Sequence, residues 1–236
     1  MKILVSDFDD SFYTKDYSIE EAVKKIKEFR NKGNKFILAT GRSVTNLLKE
    51  LSNYDPYIYD YLLCNDGSII YDSNLSELFR DDLIHENRHG IVMMLNASDA
   101  VTKVTIDNGY DFLENPDSEG VRLIGTLNTE KRDEAVKLLN EVLDKYKDYT
   151  GYLSNYYMMI LNNYMDKGYA LNKLCELENL NKDDIYTLGD EVNDYQLVRD
   201  FKGYAVEGAN KILDNVKTGT VKNIGELIDL IEKEDV

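Results

Sequence analysis

Acidic and polar side chains recur in this sequence directly after short apolar runs. The first run, residues 2–5, ends in an acidic stretch, and three later runs end in threonine, asparagine-aspartate and glycine-aspartate. The residues concerned are Asp7, Asp9, Asp10, Thr40, Asn65, Asp66, Asp190 and Asp194, and Lys167 begins the helix that leads into the last of these runs. Because ligands of open α/β sheets bind beyond the carboxyl ends of the strands, these residues are candidates for one shared site.

Carboxylates gathered at one edge of a sheet repel one another unless a cation lies among them. Their oxygens are hard ligands, which favours a divalent ion such as Mg²⁺. The alternative for any single aspartate is structural, since Asp and Asn also cap helix N-termini. The whole ordered set, Asp-x-Asp, Thr-Gly-Arg, Lys and Gly-Asp-x-x-Asn-Asp, favours a metal site over a series of unrelated caps.

The elements that must position these residues alternate between strand and helix. Apolar runs predict buried strands, and amphipathic patterns predict helices, the first of which opens with a capping box of Ser18 and Glu21. The strands are predicted at 2–5, 35–39, 61–64, 184–188 and 203–206, and the helices at 18–32, 43–51, 169–177, 193–199 and 225–232. Apolar strands that alternate with helices predict an α/β fold with a Rossmann-like parallel sheet as its core.

The middle of the chain follows a different pattern. Residues 101–106, 121–125 and 156–161 alternate between apolar and polar, as half-exposed strands do, and 128–146 predicts one amphipathic helix. We therefore expect an inserted α+β cap domain at 83–162, and a catalytic core made of 1–82 and 163–236.

Composition narrows the class of partner and the compartment. The chain has 236 residues, with 44 acidic against 28 basic side chains and a formal net charge of -16, which disfavours nucleic acid and anionic membranes as partners. Cys64 and Cys175 belong to no metal-binding or disulfide pattern. The sequence shows neither a secretory signal nor an apolar run of about 18 residues, so a cytoplasmic location is expected.

The ordered set of motifs resembles the haloacid dehalogenase (HAD) superfamily, and within it the Cof-type phosphatases that carry a large cap between their second and third motifs. The resemblance covers nearly the whole chain, because the inserted segment lies where the cap of that family belongs. Its four motifs are Asp7-Phe8-Asp9-Asp10-Ser11, Ala39-Thr40-Gly41-Arg42, Lys167 with the residues after it, and Gly189-Asp190-Glu191-Val192-Asn193-Asp194.

The resemblance implies a role for each motif residue. Asp7 would be the nucleophile that forms an aspartyl-phosphate, and Asp9 the general acid and base. Thr40 would donate to a phosphoryl oxygen, and Lys167 would balance the charge of Asp7 and of the transferred group. The Mg²⁺ ligands would come from Asp7, Asp9 (through its carbonyl), Asp190 and Asp194, and the residues around the phosphate from Asp10, Ser11, Gly41, Arg42, Asn65 and Asn193.

Some features of the sequence leave alternatives open. Asp10-Ser11 stands where the family usually has Gly-Thr or Asp-Thr, and Arg42 could equally cap a helix or form a surface salt bridge. A cap of about 80 residues is short, which favours a small phosphorylated metabolite such as a sugar phosphate. A phosphomutase or phosphotransferase would share every catalytic residue, and a non-catalytic binding protein could share the fold. The oligomeric state is expected to be a monomer or a homodimer.

Overall fold

The computed structural model of the protein describes residues 1–233. Contacts between Cα atoms divide the chain into two compact units. The first contains Met1–Phe79 and the chain from Asp166 onward, and the second contains Arg80–Met165. The sequence placed the limits of the inserted segment at 83 and 162. Among residues 1–233, no helix combines the length and the apolar character that a bilayer span requires.

Strands and helices follow one another along the chain in the order that an α/β fold with an insertion requires. The strands are β1 Ile3–Ser6, β2 Lys35–Ala39, β3 Tyr61–Cys64, β4 Ile69–Asp72, β5 Glu77–Arg80, β6 Val101–Asp107, β7 Phe112–Leu113, β8 Arg122–Leu127, β9 Tyr149–Leu153, β10 Tyr157–Asn162, β11 Ile185–Gly189, β12 Lys202–Val206 and β13 Gly219–Val221. The α-helices are α1 Ile19–Asn31, α2 Val44–Leu51, α3 Arg88–Asn96, α4 Arg132–Lys145, α5 Lys167–Glu178, α6 Tyr195–Asp200 and α7 Ile224–Lys233.

The first unit is organised around an eight-stranded sheet in the order β13-β12-β11-β1-β2-β3-β4-β5. Neighbouring strands from β13 to β3 pair in parallel, and β4 is antiparallel to β3. The central strand β1 lies between β11 and β2, with Ser6 opposite both Leu188 and Leu38. The carboxyl ends of β1, β2, β3 and β11 therefore meet at the same edge of the sheet, where the candidate residues follow. This confirms the predicted α/β core with its mainly parallel sheet.

Helices cover the sheet and are fixed by local signals in the sequence. The predicted capping box is present in α1, where Ser18 accepts from the Glu21 N–H and the Glu21 side chain accepts from the Ser18 N–H. Two ion pairs of 2.6 Å each contact α7, one from Lys25 of α1 to Asp229 and one from Lys32, directly after α1, to Glu232. On the other side, apolar residues of α5 form a buried cluster with Ile3, Val5, Ile37, Ala39, Leu63 and Ile185. Alternate residues of β1 thus face opposite helical layers.

The second unit contains a five-stranded sheet in the order β7-β6-β8-β10-β9, in which all pairs are antiparallel. Helices α3 and α4 pack on it through a continuous apolar cluster that includes Ile91, Leu95, Leu123, Leu139 and Ile160. An antiparallel sheet with two helices is the α+β architecture that the alternating patterns predicted.

Several elements differ from the sequence-based expectation. The predicted helix at 128–146 begins with a separate 3₁₀ turn, Thr129–Lys131, and the α-helix starts only at Arg132. Asn128 causes this break, because its side chain accepts from the Glu130 N–H and starts a tight turn before the helix. Strands β4, β5, β7, β9 and β13 and helix α3 were not predicted. The strands among them have at most five residues, which is too short for a clear pattern.

Candidate active site

The site centres on Lys167, a fully buried lysine in the first turn of α5. Its Nζ donates to Asp7 Oδ1 at 2.6 Å and to Asp194 Oδ1 at 2.7 Å. Asp166 caps the helix by accepting from the Tyr169 N–H, which places Lys167 at the start of α5. Burial alone would lower the pKa of Lys167, but the carboxylates of Asp194 and Asp7 more than offset it and raise that pKa well above its usual value. Lys167 is therefore a permanent ammonium bridge between two aspartates.

Asp7, Asp190 and Asp194 form a carboxylate cluster, in which one oxygen of each lies within 4.8 Å of the others. Asp190 also accepts from Ser11 Oγ at 3.0 Å, so the predicted Ser11 belongs to the site as a support for Asp190. Burial and the charge of Asp194 raise the pKa of Asp190 to about 7. Burial likewise raises the pKa of Asp7, helped by Asp194 and Asp190 and opposed by Lys167. One lysine therefore does not fully neutralise the cluster.

Asp194 is the most firmly held member of the cluster. It is fully buried, and its Oδ2 accepts from the backbone N–H groups of Asp190 and Glu191 at 3.0 and 3.2 Å. Gly189 makes this arrangement possible, because a Cβ at that position would lie 2.5 Å from Asp194 Cβ. Together with its bond to Lys167, these contacts engage both oxygens of Asp194, which orients the rest of the cluster.

The loop after β1 turns sharply directly after Asp7, and its hydrogen bonds fix the backbone of Asp7. The Asp7 carbonyl accepts from the Phe12 N–H at 3.0 Å and from Ser6 Oγ at 2.6 Å. Asp10 lies at the bend with a φ of 58°, a left-handed conformation that Asp tolerates better than most residues. Asp10 is exposed, and its carboxylate is not among those of the cluster.

Asp9 is placed differently from Asp7. Its carboxylate is 44% exposed and pairs with Arg42, whose Nη2 and Nε donate to Oδ1 and Oδ2 at 2.6 and 2.8 Å. Tyr13 donates its hydroxyl to Asp9 Oδ1 at 2.9 Å. The structure therefore does not bring the Asp9 carboxylate into the cluster, and the role predicted for its carbonyl stays a prediction. Tyr13 was missed, since nothing in its sequence position distinguishes it from a core aromatic residue.

The turn after β2 carries three of the predicted residues. Thr40 is buried, and its Oγ1 accepts from the Arg42 N–H at 3.1 Å, so its own hydroxyl proton can be donated elsewhere. Gly41 lies half-buried in this bend. The Arg42 guanidinium is held by Asp9, stands 5.1 Å from the centre of the Phe8 ring, and lies 3.6 Å from Glu50. Of the alternatives open for Arg42, the structure shows a partly exposed salt bridge, which it forms with Asp9.

The loop after β3 carries two of the candidate residues, Asn65 and Asp66, and no role was assigned to Asp66 from the sequence. Asn65, Asp66 and Gly67 all have positive φ, at 54°, 57° and 97°. A Cβ on Gly67 would lie 2.7 Å from the Asp166 carbonyl, so this glycine lets the loop approach the start of α5. Asp66 is buried, contributes to the raised pKa of Lys167, and accepts from Asn193 Nδ2 at 3.0 Å. Asn193 thus acts on Lys167 through Asp66, and Asn65 lies beside Asp66 in the same loop.

The donor set fits a hard divalent cation. The cluster offers oxygen atoms alone, from three carboxylates, and it carries more negative charge than Lys167 balances. Such a set suits Mg²⁺ better than a softer metal. A cleft of about 620 Å³ opens beside Asp190, with Asp10, Thr14, Lys15 and Asn210 among its lining residues. Asp190 is the least buried of the three carboxylates, and this cleft gives water access to it.

Comparison with known proteins places this geometry in a family. The profile of a family described as haloacid dehalogenase-like hydrolase matches residues 4–120 and 101–224. Among solved structures, the HAD subclass IIB sugar phosphatase BT4131 superposes with a TM-score of 0.81 at 14% identity, covering 98% of this chain and 99% of its own. BT1666 from Bacteroides thetaiotaomicron, one of the phosphatases of that superfamily, gives 0.75 at 15% identity, covering 100% and 94%. TM0651 from Thermotoga maritima gives 0.77 at 19% identity, covering 98% and 97%. These structures share the fold, the family profile spans most of the chain, and the protein is a member of the haloacid dehalogenase-like hydrolases.

Proposed function

We propose that the protein is a Mg²⁺-dependent phosphatase that hydrolyses a small phosphorylated metabolite, a sugar phosphate in the first instance, through an aspartyl-phosphate on Asp7. The observation that carries this proposal is the buried Lys167 bridge between Asp7 and Asp194, with Asp190 beside it. A carboxylate held by a lysine, near two more carboxylates at the carboxyl end of a central strand, suits attack on an electrophile that is itself anionic.

In the first step, an oxygen of Asp7 attacks phosphorus in line with the ester oxygen. A P–O bond to Asp7 forms as the bond to the leaving alcohol breaks, and Asp9 supplies the proton that this alcohol takes up. Lys167 and the free hydroxyl proton of Thr40 stabilise the negative charge of the transferred group. In the second step, Asp9 removes a proton from water, which attacks phosphorus and releases phosphate and Asp7.

The residues that would surround the metal are Asp7, Asp190 and Asp194, with the Asp9 carbonyl as a further oxygen. Asp194 already uses both oxygens, so we propose that it acts on the ion chiefly by orienting Asp190 and the backbone around it. The chemistry that bound Mg²⁺ supplies is neutralisation of charge on the phosphoryl oxygens and on the carboxylate cluster. This accounts for a site whose carboxylates exceed its ammonium groups.

Two observations support the proposed substrate class: the length of the inserted segment and the activity described for a structurally similar protein. BT4131 is described as a sugar phosphatase, and it shares the fold of both units of this chain. The net charge of -16 disfavours polyanionic substrates such as nucleic acids. A small phosphate monoester is the substrate class consistent with these observations. We further propose a cytoplasmic location and a monomeric or homodimeric state.

The test is phosphate release from a panel of sugar and nucleotide monophosphates, with and without Mg²⁺. We expect metal-dependent release, and its loss in Asp7→Asn, because an amide cannot attack phosphorus at a useful rate. Circular dichroism and urea unfolding of the variant establish that it is folded. Wild-type rates in folded Asp7→Asn would refute the aspartyl-phosphate. Turnover that needs a bisphosphate and releases no net phosphate would indicate a mutase, and substrate binding without turnover a binding protein.

A further inference from the structure

We infer that Tyr13 is a positioning residue for the proton transfers of Asp9, because it fixes which of the two Asp9 oxygens can exchange a proton. The inference rests on the proposed phosphatase function. It concerns a residue that lies outside the four motifs and that the sequence alone did not single out.

The hydrogen bonds at Asp9 are asymmetric. Oδ1 accepts both from Tyr13 at 2.9 Å and from Arg42 Nη2 at 2.6 Å, whereas Oδ2 accepts from Arg42 Nε at 2.8 Å. Each carboxylate oxygen has two lone pairs, so Oδ1 is saturated and Oδ2 keeps one lone pair for a proton. Arg42 alone would leave one lone pair on each oxygen. The Tyr13 hydroxyl therefore selects Oδ2.

Tyr13 is itself held rigidly enough to make this selection. Its ring packs edge-on against Phe8 at 5.3 Å, and Phe8 stacks on Phe12 at 5.6 Å. Phe8 is fully buried, and Arg42 stands over the same ring. Tyr13 and Arg42, the two donors to Asp9, thus both pack against the ring of Phe8. The Tyr13 hydroxyl remains a donor at neutral pH, since burial and Asp9 raise its pKa.

The loss of activity on removing the Tyr13 hydroxyl should depend on the leaving group of the substrate. This dependence distinguishes a residue that positions a proton donor from one with a general structural role. An alkyl alcohol must be protonated as it departs, whereas 2,4-dinitrophenolate departs without a proton. The ratio kcat/KM reports steps up to the first irreversible one, which here is departure of the leaving group. Loss of a well-aimed proton donor therefore lowers kcat/KM for an alkyl phosphate and leaves the value for 2,4-dinitrophenyl phosphate almost unchanged.

The experiment compares wild type with Tyr13→Phe, which keeps the ring packed on Phe8 and removes only the hydroxyl. The substrates are the hexose 6-phosphate that wild type hydrolyses fastest and 2,4-dinitrophenyl phosphate, both at saturating Mg²⁺. We expect a loss of about 10-fold in kcat/KM for the hexose phosphate, a fraction of the ~10²–10⁴-fold that general acid–base catalysis contributes, and a change within about twofold for the aryl ester. Asp9→Asn gives the full effect for the same pair of substrates.

The control is Tyr17→Phe in the same loop. The Tyr17 hydroxyl donates to the Glu21 carbonyl at 3.4 Å, and no hydrogen bond joins it to Asp9. This variant should match wild type on both substrates. Arg42→Lys, which loses the two-pronged contact, should show the same selective loss as Tyr13→Phe. An equal loss on both substrates, or none on either, in Tyr13→Phe would overturn the inference and leave the phosphatase function standing. Wild type without phosphatase activity on any monoester would overturn both.

Discussion

Replacing Gly189 by alanine tests how tightly the fold packs the candidate site. Gly189 ends β11, and a Cβ there would lie 2.5 Å from Asp194 Cβ and 2.7 Å from its Cγ. Ordinary contact begins near 3.4 Å, so Asp194 or the strand would have to recede by about 0.9 Å. The obstacle is the root of a fully buried side chain, which cannot simply rotate away.

A displacement of that size is enough to disconnect Asp194. Its bonds to Lys167 Nζ and to the Asp190 and Glu191 N–H groups measure 2.7, 3.0 and 3.2 Å. Lengthened by about 0.9 Å, all three fall outside hydrogen-bond range. Because a misplacement of about 1 Å in a catalytic group can cost ~10²-fold in rate, we expect kcat/KM to fall by about that factor in Gly189→Ala.

The assay is Mg²⁺-dependent phosphate release together with urea unfolding, so that lost activity can be separated from lost fold. The matched control is Gly125→Ala, another strand glycine, whose added Cβ would find its nearest neighbours, Met158 and Val101, at 3.4 Å. That variant should keep wild-type activity. A folded Gly189→Ala enzyme with kcat/KM within about twofold of wild type would show that Asp194 does not orient the site through these bonds.

Two further predictions concern stability and are measured by urea unfolding. Leu75 has a φ of 63° in an exposed turn. Leu75→Gly should therefore stabilise the protein by about 0.5–1 kcal/mol, because relief of backbone strain exceeds the entropy that glycine adds to the unfolded chain. The same gain in Leu75→Ala would contradict this reason, because alanine does not relieve the strain. The buried pair of Arg122 and Asp107 meets at 2.8 Å, so Asp107→Asn should cost about 3–5 kcal/mol, because the buried guanidinium loses the negative charge of its partner. The double variant Asp107→Leu with Arg122→Met should lose clearly less stability than Asp107→Asn. An equal loss in the two variants would show that the unbalanced charge is not the cause.

The sequence predicted the core sheet and most of its helices because their signals are local. The run at 35–39 forms β2 with the predicted limits, and the capping box of Ser18 and Glu21 is present as expected. Short strands such as β4 and β13 were missed, since four or three residues carry too little pattern to be recognised without their partners.

Residue types and spacing by themselves predicted which motifs meet at one edge of the sheet, because the first, second and fourth motifs each follow a strand and parallel strands bring their carboxyl ends together. The hydrogen bonds between those motifs were decided by the tertiary structure alone. Lys167 meets Asp7 across 160 positions, and Arg42 turns to Asp9 across 33. Asn193 donates to Asp66, a contact that no local sequence pattern predicts. Spacing along the chain cannot rank such partners, because side-chain direction is settled only when every neighbouring element is packed in place.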